Sequence, residues 1–328
     1  MPGAPVPLTQ KAIVTPNMGK HLDLHTRTIA VQDPAPGEVV VRIVYSGICR
    51  SDVSFSVGPG SGYPKNNHIA GHEGIGNIVK CQDPSFVGRS VRIRYLAETC
   101  GSCTQCQGPK HITGTFQGYA TVPLSCLLPI PDSLSLHTDV DDIDPAYYAA
   151  ALCSGSTALT ALQSASLKPG DILVVIGIAD FHARVIGVDL RHKIEKLSSQ
   201  EQDQIGGIFL CARAVESQGV PRAAEAVVVS SSGFSAFHRS DEYVCDGGRI
   251  VCVGVPKGLN MVSVPLHALE RNLHLLMEYI RSGQIKPCVT KVTLDDIPQQ
   301  MQRILDCETL GKVVACVNDP LVVGMSDS

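Results

Sequence analysis

The chain has 328 residues, 44% hydrophobic and 18% charged, with a net charge of −4. That length fits two domains with real cores, not a disordered tail or a disulfide-stapled miniprotein. The near-balanced charge leaves no basic footprint for nucleic acid or a membrane surface, and no apolar run reaches the ~18 residues of a bilayer span. Residues 1–14 lack the apolar core of a secretory signal, so the expected setting is reducing and cytoplasmic. There are 13 cysteines, an odd number, which argues against a complete disulfide set. Clustered cysteines in a reducing setting are more often metal ligands or catalytic groups. The scattered ones (Cys81, Cys126, Cys211, Cys252, Cys316) sit in apolar stretches and read as small buried hydrophobes.

Taken in order, the first 130 residues read as strands. EVVVRIVYSGI, 38–48, is β-branched and follows the turn signal Pro34-Ala35-Pro36-Gly37. IGNIVK and RSVRIRYL repeat the pattern at short spacing, which suggests an antiparallel barrel or sandwich. The character changes near residue 146, where an Ala- and Leu-rich stretch, 146–167, predicts a helix around a small-residue interruption. Four continuous apolar runs follow, at 172–177, 183–190, 224–231 and 248–256, as in strands buried on both faces. Residues 268–283 and 295–306 read as helices, so this half is α/β with a mostly parallel sheet.

Three places carry zinc-ligand chemistry: Cys49 in Gly47-Ile48-Cys49-Arg50-Ser51-Asp52, His72 in Gly71-His72-Glu73-Gly74, and Cys153 in Leu152-Cys153-Ser154-Gly155. Two thiolates and an imidazole leave one tetrahedral position open, as a catalytic zinc requires. Spacing alone leaves the alternative of packed thiols and a turn histidine.

GICRSD, GHEG, ETCGSCTQC, TGTFQGYATV and LCSGSTALTAL, in this order, resemble the zinc-containing alcohol dehydrogenases of the medium-chain dehydrogenase/reductase superfamily. The opening KAIV, PAPGEVVVRI and the closing GKVVACV fit as well, so the resemblance covers nearly the whole chain. It implies an α/β architecture: a GroES-like, mostly antiparallel β catalytic domain over 1–155, completed by 291–328, and a truncated Rossmann-like parallel α/β domain over 156–290. It also implies interconversion of an alcohol and an aldehyde or ketone with Zn²⁺ and NAD(H). The expected partner is a small-molecule alcohol or carbonyl substrate, with homo-oligomerisation left open. By the same resemblance Cys49, His72 and Cys153 hold the catalytic zinc, and Glu73 stands beside it. Ser51 takes the alcohol proton, and Asp52 fixes the tautomer of the metal histidine. Arg50 meets the cofactor pyrophosphate, for which a guanidinium fork is suited. Ser54 stands where some relatives pass the proton on through a histidine.

The chain departs from the family in three places. Cys100, Cys103 and Cys106 supply three of four ligands for a second, structural zinc; His111 is the candidate fourth, and a reduced cysteine loop is the alternative. No GxGxxG follows ILVVIG, where a dinucleotide fold brings pyrophosphate to a helix N-terminus. Only a hairpin-length link separates the first two apolar runs, too short for a βαβ unit. Asp189 still ends the second run, where the family binds the adenosine ribose and selects NAD, and Lys193 follows nearby. Lastly, Leu275-Leu276-Met277 runs straight into MEYIRSG, where relatives place a further strand and loop. The gaps read as segments lost by the protein or as coding segments missing from this version of the sequence. The second is favoured, because the junctions fall inside elements and not in loops. NAD(H) binding is therefore expected to be weak or lost. A redox-neutral zinc enzyme or an inactive remnant is the competing expectation.

Overall fold

The computed structural model describes residues 5–19, 21–57, 66–93, 114–130, 136, 143–169, 171–176, 185–189, 208–211, 224–231, 234–238, 240–254 and 266–318. The chain divides into two units, Met1–Cys153 with Lys286–Ser328, and Ser154–Ile285.

The first unit opens with β1 (Thr9–Asn17), β2 (His25–Ala30) and β3 (Glu38–Ile48), followed by α1 (Arg50–Val57). β4 (Asn66–His68), β5 (Glu73–Cys81), β6 (Ser90–Ile93), β7 (Tyr119–Pro123), β8 (Leu127–Pro129) and a short helix α2 (Ala146–Ala150) come next. The second unit holds α3 (Ser156–Ala165), β9 (Leu173–Ile176), β10 (Val185–Asp189), β11 (Ile208–Cys211), β12 (Ala224–Val229), α4 (Phe234–His238), β13 (Val244–Cys252) and α5 (Leu266–Arg281). The chain then rejoins the first unit as β14 (Val289–Thr293), α6 (Ile297–Leu305) and β15 (Lys312–Cys316).

β3 is the axis of the first unit. The turn before it closes through Glu38 N to Ala35 O at 2.9 Å, with Gly37 at a φ of 84° that favours glycine. β5 pairs along one edge of β3, while β7 and β15 share the other edge, on residues 38–42 and 45–48. Flanked on both edges, β3 buries both faces, which is why it reads as a continuous apolar run. Val39, Val41 and Ile43 enter one core, and Ile48 enters another with Phe116, Ile297, Met301 and Val313. Among the described residues this sheet is antiparallel except for the parallel pair of β14 and β15.

In the second unit the sheet order is β11-β10-β9-β12-β13, all parallel. This third-second-first-fourth-fifth order is that of a Rossmann-like sheet. β9 is central and fully buried. The mostly parallel sheet expected for this half is observed: β9 and β10 are parallel neighbours although only residues 177–184 join them. The physical reason is reach. Eight extended residues span up to ~26–29 Å, whereas a strand of this length measures only ~13–17 Å, so a return without a helix is stereochemically open. The four-residue β11 is too short to stand out in the sequence. Leu273–Glu278 lies within the single helix α5, so Leu275-Leu276-Met277 is helical, as the reading of 268–283 expected.

Of the scattered cysteines, Cys126 is fully buried, and Cys81 and Cys316 are half-buried. Cys252 is exposed, against expectation. The side chain of Cys211 lies outside the described residues.

Met301 is completely buried in the core that backs α1. Met301→Ala should destabilise the chain by about 2–5 kcal/mol, the usual cost of a large-to-small change in a close-packed core. Denaturant unfolding checks this.

Candidate metal centre

The site is built where three segments of the first unit converge. Cys49 directly follows β3, whose last residue, Ile48, is anchored in the core. His72 and Glu73 stand at the mouth of β5, after Gly71, whose φ of 100° only glycine adopts freely. Cys153 lies on a π-helical turn, Ala151–Gly155, between α2 and α3; this is the small-residue interruption read from the sequence. Such turns widen a helix locally and frequently mark functional sites. The Cys49, Cys153 and His72 donor atoms and a Glu73 oxygen all lie within 4.8 Å of one another. His72 and Glu73 are buried and both cysteines half-buried.

Asp52 ties the segments together. Its fully buried carboxylate accepts from Cys49 N at 2.9 Å, Gly71 N at 3.0 Å and His72 Nδ1 at 2.8 Å. Because the carboxylate only accepts, it fixes the proton on Nδ1 and leaves Nε2 for a metal. Burial alone would lower the His72 pKa, but the Asp52 charge and hydrogen bond hold it well above the ordinary range. The Cys153 thiol hydrogen-bonds to Cys49 and holds Cys49 well below the usual thiol range, aided by Lys312 and His72. The same bond, with burial, pushes Cys153 up. Burial pushes the Glu73 carboxyl up to about 7 against the pull of Lys312.

Lys312 was not singled out in the sequence. Its Nζ lies 2.7 Å from Glu73 Oε1 and 2.5 Å from Oε2, with Glu73 fully buried. The available signal was a lysine at the head of an otherwise apolar strand, GKVVACV. Room for the carboxylate comes from Gly47, opposite Glu73 in the β3–β5 ladder: a β-carbon there would fall 1.9 Å from Glu73 Oε2.

Ser51 is half-buried in the first turn of α1. Arg50 Nη1 donates to the carbonyls of Ile304 and Leu305, at 2.6 and 3.0 Å, and so caps the C-terminal end of α6. The exposed Ser54 donates to Arg50 O. Asp189 closes β10 in register with Cys211, its side chain outside the description. Cys100, Cys103, Cys106, His111 and Lys193 lie outside the described residues.

Residues 35–132 match the alcohol dehydrogenase GroES-like domain family. Alcohol dehydrogenase 2 of Emericella nidulans is 27% identical, covering 94% of this chain and 98% of that protein. The alignment runs over 372 positions, more than the chain has residues, so that relative carries segments this chain lacks. Among solved structures, acetophenone reductase from Geotrichum candidum in complex with NAD superposes with a TM-score of 0.72 at 19% identity, covering 96% and 99% of the two chains. The cobalt- and zinc-bound alcohol dehydrogenase of Pyrobaculum aerophilum gives 0.72 at 20%, covering 94% and 100%. These matches make the chain similar, along nearly its whole length, to zinc-containing alcohol dehydrogenases and support an enzyme of that type. Among the described residues no helix is long and apolar enough to cross a membrane.

Two thiols, an imidazole and a nearby carboxylate suit zinc, which prefers sulfur and nitrogen donors. His72 and Cys153 hold protons that metal binding must displace. Both are held above their ordinary values, so metal affinity should rise with increasing pH, with net proton release. Calorimetric titration in two buffers of different ionisation heat measures both.

Proposed function

We propose that the chain interconverts an alcohol with its aldehyde or ketone, using zinc and NAD(H), with nicotinamide affinity reduced by its shortened second unit. The observation that carries the reading is the convergence of Cys49, His72 and Cys153 around a histidine oriented by Asp52. The first unit is then the catalytic domain and the second a truncated nucleotide-binding domain.

Zinc held by Cys49, His72 and Cys153 would supply Lewis acidity, lowering the pKa of a bound alcohol. The rest falls to the chain's own groups. Asp52 keeps the His72 ring in one orientation. The Ser51 hydroxyl relays the substrate proton, taking it up as it passes its own on to water. Glu73, neutralised by Lys312, keeps a carboxylate close to the ligands without an unpaired buried charge. Asp189 would accept from the adenosine ribose hydroxyls and repel a 2′-phosphate.

A second reading, a zinc protein without nicotinamide chemistry, is favoured by the missing GxGxxG and the eight residues between β9 and β10. Metal analysis should give at least one zinc per chain, lost in the Cys49→Ser, Cys153→Ser double variant. Ser51→Ala should keep its zinc and lose roughly two to four powers of ten in turnover. Full zinc in the double variant would sink the ligand assignment; an unchanged Ser51→Ala rate would remove Ser51 from the proton path.

Calorimetry with NADH and NADPH separates the two readings. Weak binding of NADH in preference to NADPH, with alcohol oxidation, supports the dehydrogenase. No binding of either supports the second reading, and tight NADPH binding contradicts the role given to Asp189.

A further inference from the structure

His72 and Glu73 stand between two glycines, and one side chain fills the space beside both. A β-carbon added at Gly71 would lie 2.6 Å from Thr115 Oγ1, and one added at Gly74 would lie 2.4 Å from Thr115 Cγ2. Each branch of Thr115 is thus pressed against one end of the turn that presents His72 and Glu73. A β-branched side chain has few rotamers to begin with, and here rotation about χ1 would drive one branch or the other into backbone.

The wedge is held from two sides. Thr115 Oγ1 lies 2.6 Å from Ser46 Oγ, and both residues are fully buried. Ser46 sits on β3 three residues before Cys49, directly opposite Gly74 in the β3–β5 ladder. This hydroxyl pair therefore joins the strand that delivers Cys49 to the turn that delivers His72. On the backbone side, Gly114 N, Thr115 N and Phe116 N donate to Ile69 O, Gly71 O and Ala70 O, each at 3.0 Å. Behind them, Gln117 Nε2 donates to Gly114 O at 2.7 Å, and Gln10 Nε2 donates to Gln117 Oε1 at 3.1 Å. The support under Thr115 is buried and hydrogen-bonded at each step, so it transmits a displacement instead of absorbing it.

We propose that Thr115 is a positioning residue for the metal centre: wedged between Gly71 and Gly74 and tied to Ser46, it sets the spacing of the His72–Glu73 turn from Cys49. The inference rests on the assignment of Cys49, His72 and Cys153 as metal ligands. It assigns Thr115 no contact with metal or substrate; it acts through the backbone on both sides of His72. The two branches have separable duties. Thr115→Val keeps the shape and loses the hydroxyl, and Thr115→Ser keeps the hydroxyl and loses the methyl beside Gly74.

The test exchanges the full-length chain into cobalt(II) and reads the thiolate charge-transfer and ligand-field bands, with affinity taken by competition against a chromophoric chelator. Wild type, Thr115→Val, Thr115→Ser and Ile43→Val are compared, the last a change in the unit's other core cluster that controls for stability loss alone. Circular dichroism confirms folding, and Ser46→Ala, which removes the same hydrogen bond from its other end, carries the test if a Thr115 variant does not fold. Shifted bands and cobalt affinity weakened roughly 10- to 100-fold in a Thr115 variant, the usual cost of losing support behind a ligand, with Ile43→Val unchanged, bear the proposal out. Bands and affinity equal to wild type in every variant overturn it while leaving the ligand assignment standing. Absence of thiolate bands in wild type overturns the ligand assignment, and the proposal with it.

Discussion

The first unit is organised around a carboxylate that has no contact with water. Asp52 is fully buried, and an isolated buried carboxylate costs several kcal/mol. The chain offsets that cost by aiming three N–H donors at it, from Cys49, Gly71 and His72. Each donor comes from a different part of the site: the end of β3, the glycine turn and the imidazole ring. Asp52 also lies in the first turn of α1, where a negative charge suits the helix dipole. One anion thereby satisfies its own desolvation only when strand end, helix start and turn are all in place. The positions of Cys49 and His72 follow from that condition, before any metal is considered.

The second buried charge obeys the same rule with a different solution. Glu73 has no ring of N–H donors and is paired instead with Lys312, brought in by the antiparallel register of β15 against β3. Gly47 makes the geometry feasible, since any β-carbon there would occupy the carboxylate's place. The glycine two residues before Cys49 is thus as much a part of the centre as the cysteine. Breaking one member of such a pair is costlier than never having had it, because the survivor is left buried and uncompensated.

These arrangements explain what could and could not be read from the sequence. Cys49, Asp52, His72 and Glu73 lie in short local runs whose chemistry is recognisable before folding, and Cys153 lies in another. Lys312 and Thr115 carry no such local signal. Their relevance is created by pairing: Lys312 by the β15–β3 register, Thr115 by backbone bonds to Ala70 and its neighbours across a long stretch of chain. The family resemblance implied a pyrophosphate contact for Arg50. In the structure its long side chain reaches the last carbonyls of α6, a contact between residues some 250 apart that no local pattern encodes. The parallel sheet was legible in the apolar runs, but not how so short a link is compatible with parallel pairing of β9 and β10. The usual length of a crossover reflects the helix it contains, whereas the stereochemical minimum is only the distance back along one strand.

That distinction separates folding from ligand binding in the second unit. β9 is held by burial of Leu173, Val174, Val175 and Ile176 between β10 and β12, with Ala161 and Ala165 packed on one face and Tyr243 on the other. None of these contacts requires a helix between β9 and β10. Apolar burial is non-directional and is satisfied by any route that returns the chain in register. Binding a pyrophosphate is directional: it needs several N–H groups aimed at one point, which a glycine turn leading into a helix provides. Eight residues can return the chain but leave no room for a turn, a helix and a second turn. A sheet of this kind can keep its strand order after its phosphate-binding element is gone, so strand order by itself is no measure of cofactor affinity.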